Sequence, residues 1–150
     1  MMVRSSHIIR DTGGTSVVEL GLILPIFAMM LAGVVDLSRA YSTKLQIQQA
    51  AQRAVERIQR SGYQVDDEAT IEAEAAAGAG VSTSNVTLEA WLECNGAHTS
   101  FTGSCGAGQT MARYVTVEVR KNFTAFFTPS FLPGGVDTYT LVTEAGIRVQ

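Results

Sequence analysis

Residues 20–35, LGLILPIFAMMLAGVV, run without a single charged side chain. Helical residues rise ~1.5 Å each, so about 20 of them cross the ~30 Å hydrocarbon core of a bilayer. A membrane span is therefore the first reading. Extending the run back to Val17 admits one charge, Glu19. A carboxylate costs at least ~2.5–3.5 kcal/mol at the bilayer centre and less near an interface. Glu19 thus has two readings. It marks the headgroup level at the edge of the span, or it is kept inside the membrane for a partner.

The pattern predicts one long helix over residues 16–61. Pro25 lacks an N–H and crowds the carbonyl of Gly21, itself a poor helix former, which predicts a kink or local melting near Gly21–Pro25. Membrane helices tolerate proline, so the pair is either incidental or a joint. Beyond Asp36 the helix turns amphipathic. Ile47, Ala50, Ala51, Ala54, Val55 and Ile58 share one face, with glutamine and arginine on much of the rest. Asp36 and Arg39 are spaced to pair at the outer interface. Ser61-Gly62 ends the helix.

The remainder is a small head. Asp66-Asp67-Glu68 open a short helix that Gly78-Ala79-Gly80 stop. From Asn85 the period becomes two, through Val86, Leu88, Ala90 and Leu92, then Val115, Val117 and Val119, then Tyr139 to Val149. That predicts three antiparallel strands. Residues 94–110 read as a Gly/Ser/Thr loop, and Phe123, Phe126, Phe127 and Phe131 with Pro129 and Pro133 as a hydrophobic loop. Trp91 stands on the polar side of its strand, and cover by the helix or by the 94–105 loop is expected for it.

The residues leading into the apolar run carry a resemblance. A short polar leader ends in Gly13-Gly14, and Glu19 is the fifth residue after Gly14. This resembles the processing site of type IV-like prepilins. The continuation ELGLILPIFAMMLAGVVDLSRAYSTKLQIQQAAQRA resembles the TadE-like pseudopilins of tight-adherence (Flp) pilus systems. The resemblance rests on residues 13–60 and is looser beyond. One departure is that the leader has two arginines, Arg4 and Arg10, and no lysine. The resemblance implies cleavage by a prepilin peptidase between Gly14 and Thr15, and a pairing role for Glu19 between subunits. It implies partnership with the major Flp pilin and other pseudopilins, and extraction by an inner-membrane platform and ATPase.

The expected fold class is therefore α+β and pilin-like: a long membrane-spanning helix carrying one short helix and a three-stranded sheet. The expected divisions are a leader at 1–14, a membrane helix at 15–36, its amphipathic continuation at 37–61 and a periplasmic head at 62–150. Location in a bacterial inner membrane as a single-pass protein follows, with passage into an extracellular pilus open. Charge placement bears on this unevenly. Residues 1–61 hold seven Lys/Arg against four Asp/Glu, and residues 62–150 hold four against ten. The acidic head argues against nucleic acid as a partner. Five cations after the span against two before it argue for a cytoplasmic head by the positive-inside rule. Against that stand the resemblance and the two cysteines, Cys94 and Cys105, which read as a disulfide in an oxidising compartment.

No enzyme reading assembles. There are two histidines, one in the leader, and no Ser-His-Asp or Cys-His set. Cys94, His98 and Cys105 with Glu93 form at best a partial metal site, which the disulfide reading displaces; no metal and no cofactor are expected. Two other classes stay open. One is a signal-anchored periplasmic protein that never assembles. The other is a secreted binding domain cut after Ser38-Arg39-Ala40, although the Arg at the cut and the long apolar run count against it.

Overall fold

A continuous apolar run followed by 3.6-residue periodicity builds one helix, α1, over Gly13–Ser61. The computed structural model describes residues 13–126 and 138–149. The expected leader through Thr12 and the 127–137 part of the phenylalanine-rich loop lie outside the described residues. α1 runs through Gly21 and Pro25 as a single helix. Its two halves differ in what covers them. From Ser16 to Val35 no residue is buried, and Ile47, Ala50, Ala51, Ala54 and Ile58 of the second half are buried.

A single 3-10 turn at Val65–Asp67 leads into α2, Glu68–Ala79. The sequence places Gly78-Ala79-Gly80 as the stop, and the structure narrows this to Gly80. Gly80 adopts the left-handed conformation, φ 65° and ψ 48°. The Val81 and Gly80 N–H groups return to the Ala76 and Ala77 carbonyls at 3.0 and 3.3 Å, closing a Schellman motif. Gly78 lies inside α2, where a side-chain carbon would meet Ala50 Cβ at 3.5 Å. It marks where the two helices approach rather than where one ends.

Four strands follow, one more than expected. They are β1 (Val86–Cys94), β2 (Ala97–Ser100), β3 (Met111–Thr124) and β4 (Thr138–Arg148), in the antiparallel order β2-β1-β3-β4. The extra strand lies in what reads as a loop. Its four residues are all exposed, so it has no apolar alternation to betray it. Asn95-Gly96 turns β1 back into β2, with both residues at positive φ (51° and 83°), as a two-residue hairpin requires. Phe123 is also relocated: it is a buried strand residue of β3 paired with Tyr139, not part of a loop. The strand is long enough to reach it because the β3–β4 ladder continues to Thr124↔Thr138.

One face of the sheet is the core. Val86, Leu88, Val115, Val117 and Val119 meet the buried stripe of α1 and Ile71, Ala75, Ala76 and Ala79 of α2. α1 lies over β3 and β4, and α2 reaches β1. Alanine dominates both helices at this contact, which lets their backbones come close to the sheet. The opposite face is open and polar. Glu118 there stands directly across from Glu144, and Arg120 pairs with Glu118.

Candidate functional site

The first half of α1 is where the chain departs most from a soluble protein. Leu22, Leu24, Ile26, Phe27 and Met30 are each more than half exposed, and none of the apolar window is buried. Full burial of one such side chain is worth about 1.5–3 kcal/mol. A contiguous apolar surface of this length must be covered by lipid or by other helices. The helix is long and apolar enough to cross a membrane. Glu19 sits on this exposed surface near its amino-terminal end. Gly14 and Thr15 lie one turn further back within α1. Among the described residues no ion pair or hydrogen bond to Glu19 is formed. A carboxylate so placed is satisfied by water, by headgroups or by another chain's cation.

At the other end of the apolar run the helix is tied to the head. Asp36 Oδ1 accepts from Arg39 Nη1 at 3.1 Å and from the Phe126 backbone N–H at 3.0 Å. The Arg39 guanidinium lies over the Phe126 ring, 3.5 Å from its centroid, and 5.4 Å from that of Phe123. The spacing of Asp36 and Arg39 is legible in the sequence as a pair. Their use of the end of β3 as a third partner is not, since the contact joins residues 90 apart. Further along, Lys44 donates to the Val142 carbonyl of β4, and Arg57 pairs with Glu74 of α2. α1 is thus anchored to the head by charged contacts at both ends of its buried stripe.

The cysteines are joined. Cys94 and Cys105 form a disulfide with a Cα–Cα distance of 5.5 Å. It staples the segment after β2 to the end of β1. Arg113 holds the same segment from β3, donating to the Phe101 and Gly103 carbonyls at 3.0 and 3.1 Å. Both sulfurs are therefore committed, and His98 Nε2 instead faces Glu93 Oε1 at 3.1 Å.

Trp91 is half-buried, and His98 of the 94–105 segment lies against it, one of the two covers expected for it. Its ring stacks between His98 and Tyr114 across the open face of the sheet, with centroids 5.3 and 5.6 Å away. Its Nε1–H donates to Glu93 at 3.2 Å. Strand pairing explains this: Tyr114 is the direct partner of Trp91 on β3, and His98 is the diagonal neighbour on β2.

A single apolar helix leading into an α+β head, with the sheet packed on the helix, is a pilin-like arrangement. Residues 14–56 match a family model described as TadE-like protein. Over those residues the chain is similar to the TadE-like family. The match lies wholly within α1 and stops short of the head. No curated protein and no solved structure matches the chain.

Proposed function

We propose that this chain is a minor pilin-like subunit, a pseudopilin, that takes part in building a tight-adherence (Flp) pilus and is not an enzyme. The observation that carries the reading is the exposed apolar half of α1, bearing Glu19 five residues after Gly14 inside the TadE-like match. A prepilin peptidase cuts between Gly14 and Thr15. The chain is held in the inner membrane by α1, with the head on the periplasmic side. An ATPase-driven platform then moves it among the major Flp pilin and other pseudopilins.

The mechanism is physical. In the bilayer, lipid covers the apolar helix. In an assembly, like helices take the place of lipid. Burying Glu19 then costs several kcal/mol unless a cation meets it. Cleavage creates one, the new α-amino group of a neighbouring Thr15. The Gly21–Pro25 segment, with one helical hydrogen bond missing, gives the helix a place to adapt as it packs.

The test is the mature amino terminus, read by mass spectrometry on protein from its native membrane. Thr15 is the expected first residue, and Gly14→Val should leave the precursor uncut. A start at Tyr41, or an intact leader on the membrane-resident protein, overturns the reading.

A further inference from the structure

We propose that the junction of Asp36, Arg39 and Phe126 seats the head directly on the bilayer, with the Phe126 ring lodged among the lipid headgroups. The proposal rests on the reading of α1 as a membrane span, and goes beyond it by fixing which part of the head touches lipid.

Depth comes first. Val17 to Val35 spans about 28 Å of helix, close to the thickness of the hydrocarbon core. Asp36, the next residue, therefore stands at the boundary between acyl chains and headgroups. A bare carboxylate is costly there. This one is neutralised by Arg39 and takes up a backbone N–H, that of Phe126. The bond that satisfies Asp36 also brings the head to the depth of Asp36.

Beside Ser38 and Ser42, large apolar and aromatic side chains stand exposed near that depth. Phe126 is 69% exposed, Leu37 71% and Tyr41 65%. Leu37 and Tyr41 lie one turn apart on the side of α1 away from the Asp36–Arg39 contact, and Phe126 lies on the head side. Apolar side chains thus flank the helix on two sides just beyond the exposed span. A single exposed phenylalanine is ordinary. This one is pinned through its own backbone N–H to the residue that ends the span, which holds its main chain at the interface. Aromatic rings are favoured at headgroup level, where an apolar body and a polar surround coexist. The guanidinium over the ring completes the match. Arg39, paired with Asp36, also covers one face of the Phe126 ring.

The experiment uses the full chain reconstituted in phosphatidylethanolamine/phosphatidylglycerol vesicles. Phe126→Trp is made in a Trp91→Phe background, so that one indole reports. Its emission should shift to the blue. Lipids brominated near the carbonyl end of the acyl chain should quench it more than lipids brominated near the terminal methyl. Phe27→Trp in the same background is the reference for the span and should show the reverse order. Quenching of Phe27→Trp without quenching of Phe126→Trp overturns the seating and leaves the span intact. Quenching of neither overturns the span and the seating with it. The unaltered chain supplies a second reading. Photoactivatable lipid with its reactive group at the glycerol level should label the peptide containing Phe126. Labelling confined to peptides of the span, or crosslinking of Phe126 to a second protein in place of lipid, overturns the proposal.

Discussion

Lys121 Nζ, on β3, donates to the Ala79 carbonyl at the end of α2 over 2.7 Å. It also reaches Gln46 Oε1 of α1 at 3.2 Å. One ammonium thus joins the two helices and the sheet. α2 has no basic residue in its own last turn, so this lysine supplies the cation that the negative helix end favours. Lys121→Ala should destabilise the head by about 1–2 kcal/mol, from a charge-assisted hydrogen bond and the helix-end interaction together. Lys121→Met keeps the stem and should recover only part of that. Urea midpoints of the three proteins decide it. Equal midpoints for wild type and Lys121→Met would show that the stem packing, not the ammonium, matters.

The sequence announces what has a period and hides what does not. α1 is legible because an uncharged run passes into a stripe at three- and four-residue spacing, and the residues of that stripe are the ones buried. β1, β3 and β4 are legible because each has one wet face, so apolar and polar residues alternate. β2 is exposed on every residue and shows no alternation. The signal that finds it is Asn95-Gly96, a turn pair that demands a second strand after β1. The seat of Phe126 on Asp36 and Arg39 is hidden for another reason. It depends on how far β3 runs along α1, a length set by the pairing of β3 with β4 and by no local pattern. Trp91 follows the same logic, since its stacking partners come from two other strands.

The disulfide closes a loop with a sequence separation of 11. In the chain-entropy picture a loop of that size is worth roughly 3 kcal/mol, and calorimetric views differ on the origin. Cys94→Ser with Cys105→Ser should lower stability by about 2–3 kcal/mol. The loss should be felt first in β2 and residues 101–110, seen as faster hydrogen exchange there than in β3. In the unaltered protein the thiols should be unreactive until reduced. Free thiols in protein taken from its native envelope would refute the disulfide and weaken the periplasmic placement of the head.

Tyr63 is buried beside Phe101, edge-on with centroids 4.8 Å apart. Burial, then Glu68 and Glu72, hold its hydroxyl above the ordinary value of 10.0. The sign follows from which state loses the proton first. The unfolded chain ionises near the ordinary value while the folded chain stays neutral, so above it the unfolded state binds fewer protons. The stability contribution is whole below pH 10 and is lost as the pH rises through the folded pKa. Tyr63→Phe should therefore lose less stability than wild type between about pH 8 and pH 11, measured as urea midpoints. Parallel losses in both proteins would mean that other groups govern the alkaline limb.

Glu19 separates the two explanations of an acidic residue in an apolar helix. If it only marks the membrane edge, Glu19→Gln removes a charge from a lipid-facing surface and should be harmless or ease insertion. If it receives a neighbour's amino group, cleavage and insertion should survive, because Gly14 and the apolar run are untouched. Association with other pilin subunits should fall, because the neighbour's ammonium is then buried without its counter-charge. Removing one partner of a buried pair typically costs ~3–5 kcal/mol, enough to abolish weak lateral contacts. The expected result is a normal Thr15 terminus together with lost crosslinking to the major pilin. A Glu19→Asp variant, which keeps the charge on a shorter stem, should restore part of the crosslinking. Normal cleavage with normal association in Glu19→Gln would leave Glu19 as a boundary residue and remove charge pairing from the mechanism.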